Sequence, residues 1–249
     1  MRPWVPRSLP GSPTRSSGGR SIVEFLFIDL DDTILDFHKA ERLAIAKTIR
    51  QFGVEPTEEV LALYHEINIR HWQMLERGEL LREEVLVNRF GVLFQQLGVE
   101  ADAESCARAY EDNLSQGHYF LPGAEEALEK LSGKYRLFLA SNGTAKVQAG
   151  RMKSANLYRF FEKVFVSQEI GFNKPSIHYF EGCFAQIPGF DRSKAIIVGD
   201  SLTSDMQGGQ NAGIATCWVN PGHAPRKENI RVDYEIESLS QFPALLESL

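Results

Sequence analysis

Short apolar runs recur along the chain, and amphipathic segments lie between the later ones. Five runs are rich in residues that favour β-strands, at residues 22–28, 136–140, 164–166, 195–198 and 214–219. Apolar positions recur at helical spacing in residues 125–131, 144–155, 176–186 and 204–212. Strands that alternate with helices predict an α/β fold, namely a Rossmann-like parallel sheet core with helices on both faces.

Residues 37–120 interrupt this alternation, because their apolar positions repeat only at helical spacing. The clearest stripe has spacings of three and four and runs through Leu86, Phe90, Leu93, Phe94 and Leu97. The pattern predicts an all-helical subdomain inserted after the first strand, and we expect it to fold as a cap over the strand ends. The predicted α/β core comprises residues 21–36 and 121–249.

The first 20 residues differ from the rest of the chain in composition. They contain four arginines, no acidic residue and many serines, glycines and prolines. This composition predicts a disordered basic tail at residues 1–20. It lacks the apolar stretch of a secretory signal.

Composition and charge narrow the class of protein. Apolar residues make up 43% of the chain and charged residues 24%, and the formal net charge is −6. No apolar run approaches the roughly 18 residues that span a bilayer, and an acidic chain has no electrostatic footprint for nucleic acid. The cysteines are widely spaced, which favours reduced thiols: Cys106, Cys183 and Cys217. We therefore expect a cytoplasmic protein without nucleic-acid or membrane partners. The sequence does not indicate the oligomeric state.

The strongest chemical signal is the acidic cluster at residues 29–33, directly after the first strand. Side chains alternate along an extended segment, so Asp29 and Asp31 are expected to point to one side. Two neighbouring carboxylates repel each other unless a cation neutralises them, and Mg²⁺ prefers oxygen ligands of this kind. One carboxylate can attack phosphorus while the other, protonated, serves the leaving oxygen. Taken alone, these residues could also form an acidic turn that caps a helix.

A second acidic loop follows the predicted strand at residues 195–198. It adds Asp200 and Asp205 to the same expected edge of the sheet. Ligands of parallel sheets bind beyond the carboxyl ends of the strands, so both acidic clusters are expected to serve one site. Taken alone, this loop could be a solvated turn in which Ser204 or Asp205 caps the next helix.

Two further polar segments are candidates for binding phosphate. Ser141 and Asn142 follow a predicted strand, where a hydroxyl and an amide can donate hydrogen bonds to phosphate oxygens. Lys174 precedes a predicted helix and can hold the nucleophile and the phosphoryl group together. Neither signal is specific alone, because such turns are common and most lysines lie on the surface.

These four segments, in this order, resemble the haloacid dehalogenase superfamily of hydrolases, and the resemblance spans residues 25–249. By this resemblance, Asp29 is the nucleophile that forms an aspartyl-phosphate, and Asp31 protonates the leaving oxygen and then activates water. The dehalogenases of the superfamily lack the second aspartate. Asp31 therefore favours phosphate esters over carbon–halogen bonds.

The same resemblance implies roles for the remaining polar residues. Ser141 and Asn142 bind the phosphoryl group, and Lys174 steadies its charge. The implied ligands of Mg²⁺ are Asp29, the main-chain carbonyl of Asp31, and Asp200. Asp205 orients a metal-bound water or Lys174 from outside the ligand set.

Residues 66–90 and 198–221 resemble the pyrimidine 5′-nucleotidase branch of the superfamily. This resemblance implies a phosphatase of nucleoside 5′-monophosphates. The N-acylneuraminate 9-phosphatase branch shares much of the second pattern, so a sugar or N-acylneuraminate phosphate is the alternative substrate. Trp72 could stack on a base, although an aromatic residue here is more often core. The other cap residues expected near the leaving group are Phe37, His38, Asn68 and His71.

Two alternatives lie outside phosphate hydrolysis. A non-catalytic phosphate-binding protein could carry the same pocket, although it would gain nothing from so many carboxylates. A phosphotransferase could use Asp29 and pass the phosphoryl group to an acceptor other than water.

Overall fold

The computed structural model describes residues 23–249, so the tail predicted at residues 1–20 lies outside the described residues. Within residues 23–249, six strands form one sheet with the order β3-β2-β1-β4-β5-β6, and every neighbouring pair is parallel. The strands are β1 (Phe25–Ile28), β2 (Arg136–Ser141), β3 (Lys163–Val166), β4 (Ala195–Gly199), β5 (Ala215–Val219) and β6 (Tyr234–Ile236). The sequence predicts the first five of them; β6 is an addition.

Ten α-helices accompany the sheet in the described part of the chain. They are α1 (Phe37–Arg50), α2 (Glu58–Glu76), α3 (Arg82–Leu97), α4 (Ala103–Leu114), α5 (Ala124–Leu131), α6 (Ala145–Ser154), α7 (Ser167–Ile170), α8 (Ile177–Phe184), α9 (Gln207–Ala212) and α10 (Phe242–Ser248). None of the helices between residues 23 and 249 has the length and apolar character required to cross a membrane.

The central strands β1 and β4 are buried along their whole length, which explains why both are continuous apolar runs. In register, Phe25 of β1 lies beside Arg136 of β2 on one side and Ala195 of β4 on the other. Ile28, the last residue of β1, lies beside Leu139 and Val198, so the three strands end close together. The main-chain N–H of Asp29 extends the pairing, donating to the Val198 carbonyl at 3.0 Å.

One face of the sheet is packed with aromatic side chains. The ring of Phe27 stacks on that of Phe138 at 5.4 Å and meets the edge of Phe184 at 5.5 Å. Phe184 comes from α8, so this contact presses the helix against the strands. Aromatic pairs of this geometry are each worth about 0.5–1.5 kcal/mol beyond the burial of their area. They hold α8 and the preceding loop, which carries Lys174, against the sheet.

The described residues form two compact units, and one of them is helical. The helical unit comprises residues 36–119 and 144–156, and its core is built from α1 to α4 with Val147 of α6. Gly150 of α6 lies against Ser115, because a Cβ added there would be 2.7 Å from the Ser115 side chain. The predicted fold class, a parallel α/β core with an inserted all-helical subdomain, is confirmed. The predicted cap boundaries, residues 37–120, stay a prediction.

Candidate active site

The first acidic cluster lies on a tight turn at the end of β1. The carbonyl of Leu30 accepts two main-chain hydrogen bonds that close the turn, at 3.0 and 2.9 Å. Asp32 adopts a φ of 54°, in the left-handed region that aspartate tolerates better than most residues. The turn leaves Asp29 buried, with 6% of its surface exposed, and Asp31 half-buried.

Lys174 lies among the buried carboxylates. Its Nζ donates to Asp29 Oδ1 and Asp205 Oδ1, each at 2.6 Å, and to the carbonyl of Ala140 at 2.7 Å. These acceptors match the three hydrogens of an ammonium group. Burial alone would lower the pKa of Lys174, but the carboxylates of Asp205 and Asp29 raise it above its usual value. Lys174 therefore keeps its positive charge.

The loop after β2 contacts the main chain of Lys174. The side chain of Asn142 donates from Nδ2 to the Lys174 carbonyl at 2.9 Å and accepts the Lys174 N–H on Oδ1 at 2.8 Å. Ser141 Oγ accepts the N–H of Gly143 at 3.1 Å, which orients the hydroxyl. Asn142 thus lies beside Lys174, and Ser141 precedes it as the last residue of β2. The phosphate-binding role of both residues stays a prediction.

The second acidic loop begins where β4 ends. Ser201 caps a single π-helical turn, Leu202–Met206, and its N–H donates to Asp205 Oδ2 at 3.2 Å. The indole Nε1 of Trp218 donates to the main-chain carbonyl of Asp200 at 2.7 Å. π-Helical turns are rare and occur frequently at functional sites. The turn directs Asp205 back toward Lys174 and leaves Asp200 at the strand end.

Three carboxylates converge at this edge of the sheet. Asp29, Asp200 and Asp205 each offer an oxygen within 4.8 Å of the other two. Asp29 and Asp205 are buried, whereas Asp200 is partly exposed. In the absence of a metal ion, burial raises the pKa of Asp29, Lys174 opposes this shift, and the Asp205 and Asp31 carboxylates add to it, so that the pKa is about 8. Burial and neighbouring carboxylates likewise raise the pKa of Asp200 well above its usual value.

The donor set fits a hard divalent cation. Lys174 supplies one positive charge for the carboxylates of Asp29 and Asp205, and Asp200 adds a third negative group. Carboxylate and carbonyl oxygens are the ligands that Mg²⁺ prefers. The metal roles predicted for Asp29 and Asp200 are consistent with this geometry and stay predictions. The role predicted for Asp31 also stays a prediction.

Two of the predicted specificity residues have partners inside the helical unit. Asn68 is buried; its Nδ2 donates to Glu41 Oε1 at 2.5 Å, and its Oδ1 accepts from Arg89 at 2.7 Å. His71 is also buried, and its Nδ1 lies 2.7 Å from a main-chain oxygen one turn earlier in α2. These contacts give both side chains a structural role. Their predicted role beside a substrate stays a prediction.

Sequence reasoning missed two contributors to the site. The main-chain carbonyl of Ala140 is one of the three acceptors of Lys174. Every residue has such a carbonyl, so the sequence does not indicate which one makes the contact. Gly199 lies directly under the Asp205 carboxylate. The signal that could have found it is a glycine at the last position of a strand, immediately before an aspartate.

Comparison with known proteins assigns this chain to a family. The model of the haloacid dehalogenase-like hydrolases matches residues 26–219. YfnB of Bacillus subtilis, named as a HAD-hydrolase, is 38% identical over 221 residues, which cover 89% of this chain and 94% of YfnB. The pyrimidine 5′-nucleotidase PynA of Streptococcus pneumoniae is 36% identical over 216 residues, covering 86% of this chain and 91% of PynA.

A solved structure supports the same family assignment. The crystal structure of YfnB bound to magnesium matches this one with a TM-score of 0.86 and 37% identity, covering 90% of this chain and 99% of that one. The match therefore extends over both the sheet and the inserted helices. On the strength of the family model and of two relatives above 30% identity, the chain belongs to the haloacid dehalogenase-like hydrolases.

Proposed function

We propose that this chain is a Mg²⁺-dependent phosphomonoesterase that forms an aspartyl-phosphate on Asp29 and acts on nucleoside 5′-monophosphates. One observation carries the proposal. The buried Asp29 carboxylate is held 2.6 Å from Lys174, within 4.8 Å of two more carboxylates. So much negative charge is costly to bury unless cations neutralise it.

In the first half-reaction, an oxygen of Asp29 attacks phosphorus and the ester P–O bond breaks. Asp31 gives its proton to the leaving oxygen; this side chain is half-buried, so it can exchange protons with solvent. Lys174 donates a hydrogen bond to Oδ1 of Asp29, which orients the other oxygen for attack and keeps a positive charge nearby. Ser141 and Asn142 lie at the end of β2, where they can donate to phosphoryl oxygens.

In the second half-reaction, water attacks the phosphorus of the acyl phosphate. The Asp31 carboxylate takes a proton from this water, the bond between phosphorus and Asp29 breaks, and inorganic phosphate leaves. The cycle restores the carboxylate of Asp29 and the protonated form of Asp31. The same residue thus serves as acid in one step and as base in the next.

Mg²⁺ fits the chemistry of the donor set. The proposed ligands are Asp29, the main-chain carbonyl of Asp31, and Asp200, with Asp205 held back by Lys174. When bound, the ion neutralises the carboxylates and the charge of the phosphoryl group. The family generally uses this ion, and the matched YfnB structure is bound to magnesium.

The nucleotide substrate rests on the relatives. PynA, 36% identical to this chain, is named as a pyrimidine 5′-nucleotidase. The competing substrates are sugar phosphates and N-acylneuraminate 9-phosphate, because the catalytic residues act on the phosphoryl group alone. Residues that contact the leaving group would decide which of these substrates is preferred.

The test is a phosphate-release assay with Mg²⁺ on a panel of phosphate esters. The panel contains 5′-UMP, 5′-CMP, 5′-dTMP, 5′-AMP, 3′-UMP, glucose 6-phosphate, N-acylneuraminate 9-phosphate and an aryl phosphate. We expect the highest kcat/KM for a pyrimidine 5′-monophosphate, and we expect 3′-UMP to be poor. A higher kcat/KM for a sugar or N-acylneuraminate phosphate would overturn the nucleotidase assignment but keep the phosphatase.

Two variants test the chemistry itself. Asp29→Asn keeps the shape of the nucleophile and should abolish release from every ester, whereas Asp191→Asn changes an exposed aspartate that bonds Ser193 and should act as wild type. Undiminished activity of Asp29→Asn would refute the nucleophile. If the wild type consumes substrate without releasing phosphate, the chain is a phosphotransferase; if it does neither, it is not an enzyme of this class.

A further inference from the structure

A second group of metal-ligating side chains lies in the helical unit. His38 and Glu41 are one turn apart on α1, and His65 lies on α2. One ligand atom of each residue lies within 4.8 Å of the other two. The two imidazole rings are 5.1 Å apart between centroids. All three residues are separate in the chain from the aspartate site described above.

Glu41 is an unusual residue for its position, because it is a carboxylate with only 3% of its surface exposed. It shares a face of α1 with Ala44 and Ile45, which belong to the core of the helical unit. Between residues 23 and 249, no lysine or arginine forms an ion pair with it; its partner is His65, whose Nδ1 lies 2.5 Å from Oε2. A buried carboxylate is expensive to maintain without a positive charge.

The carboxylate of Glu41 is also held in place. Asn68 Nδ2 donates to Glu41 Oε1 at 2.5 Å, and Arg89 Nη1 donates to Asn68 Oδ1 at 2.7 Å. Asn68 and Arg89 are both buried. This chain fixes one oxygen of Glu41 and directs the other toward the imidazoles. Carboxylates that bind metals are typically oriented by such outer hydrogen bonds.

We propose that His38, Glu41 and His65 bind a divalent transition-metal ion such as Zn²⁺. Two imidazole nitrogens and one carboxylate oxygen suit Zn²⁺, Ni²⁺ or Cu²⁺ better than Mg²⁺. Ligands at zinc distances lie roughly 3–3.5 Å apart in a tetrahedral site, so small rotations of the two imidazoles complete it. His38 is exposed and His65 partly exposed, which lets an ion enter from solvent. A water would take the fourth position.

The bound ion would link α1 to α2. Because it binds only when the two helices are folded beside each other, it stabilises the helical unit by mass action. Zinc binding can be measured without any substrate, and none of the three ligands is proposed to act on the phosphoryl group. Its test can therefore succeed or fail whatever the substrate is.

The test is calorimetric titration of Zn²⁺ into the full chain, in an excess of Mg²⁺ that occupies the aspartate site. The variants are His38→Ala and His65→Ala. The control is His178→Ala, which alters a histidine–glutamate pair of the same spacing on α8, with 3.6 Å between His178 and Glu181. A thermal melt in EDTA confirms that each variant is folded. Any zinc bound at the aspartate site is common to all of them.

We expect wild type and His178→Ala to bind one zinc ion that His38→Ala and His65→Ala do not bind. Asn68→Ala should lower the affinity for this zinc ion about 10–100-fold, because Glu41 loses the hydrogen bond that orients its carboxylate. The melting temperature should rise with Zn²⁺ in the wild type but not in His38→Ala. Identical zinc isotherms for wild type and His38→Ala would overturn the site. Since His38 is exposed, this variant keeps the test valid if His65→Ala is unstable.

Discussion

The carboxylate of Asp205 occupies the space that a side chain on Gly199 would fill. A Cβ added to Gly199 would lie 2.3 Å from Asp205 Oδ2 and 2.4 Å from its Cγ. Carbon atoms in proteins do not approach so closely, so one of the two groups would have to move. The absence of a side chain at the end of β4 is therefore what allows Asp205 to reach Lys174 at 2.6 Å.

Gly199→Ala tests this relationship. We expect the added methyl group to displace Asp205 and to lower kcat/KM at least about 100-fold, because small displacements at a catalytic site have effects of this size. It should also lower the free energy of unfolding by about 1–3 kcal/mol. The measurements are steady-state kinetics and denaturant unfolding. Gly222→Ala is the control, since a Cβ there meets nothing within 4 Å, and equal kinetics for both variants would refute the steric argument.

Asn142 positions Lys174 by bonding both of its main-chain polar groups. We expect Asn142→Ala to lower kcat about 10–100-fold with a smaller change in KM, because Lys174 would lose its alignment. Asn142→Asp keeps the acceptor for the Lys174 N–H but not the donor to the Lys174 carbonyl. Its kcat should therefore lie between those of the wild type and Asn142→Ala. A rise in KM and in the inhibition constant of phosphate, with kcat unchanged, would mean that Asn142 acts mainly by binding phosphate and not by positioning Lys174.

Lys174 stabilises the fold as well as the site. Lys174→Met keeps most of the side-chain volume but leaves Asp29 and Asp205 without their ammonium partner. We expect it to cost about 3–5 kcal/mol of unfolding free energy in the absence of Mg²⁺, as breaking a buried ion pair does. Lys194→Met is the matched control, because its exposed pair with Glu24 should contribute less than about 1 kcal/mol. Equal denaturation midpoints for the two variants would contradict this account.

The stability of the metal-free protein should fall as pH rises. Folding raises the pKa of Asp29 from 3.8 to about 8, so the folded state holds a proton that the unfolded chain has lost between these values. A carboxyl shifted in this direction stabilises the fold when protonated, and that contribution is lost as pH rises from about 4 to about 8. Thermal melts in EDTA across this range measure it. Asp29→Asn should flatten the dependence, and an unchanged slope would exclude Asp29 as its source.

Mg²⁺ should reverse this trend, because the ion competes with the proton for the same carboxylates. At 100 times its dissociation constant, a ligand adds about 2.7 kcal/mol of stability. For a chain of this size, that corresponds to a rise of roughly 5–10 °C in melting temperature. We expect the rise to be larger at pH 8 than at pH 6. Asp200→Asn should remove most of it, and a full rise in that variant would exclude Asp200 as a ligand.

The parallel sheet could be predicted from the sequence because its central strands are buried on both faces. Such strands are continuous apolar runs, and the acids at residues 29 and 200 directly follow two of them. The edge strand β6 could not be predicted in the same way. It has three residues, two of which are partly exposed, so it carries no apolar run.

Contacts between distant residues account for most of what the sequence did not predict. The amide of Asn142 bonds a lysine that lies 32 positions away, and only the fold brings the two together. The packing of α6 into the helical unit depends on close approach of Gly150 to Ser115, which its amphipathic pattern does not specify. The candidate residue types of the site were thus predictable from motifs, whereas the groups that orient them required the tertiary structure.

The central claim is that Asp29 carries the phosphoryl group, and trapping that group tests it most directly. Asp31→Asn with an aryl phosphate is the best system, because an aryl leaving group departs without a proton while the second step lacks its base. After acid quenching, mass spectrometry of the peptides should locate one added phosphoryl group on Asp29. Substrate turnover without this modification, or a phosphoryl group on another residue, would contradict the account.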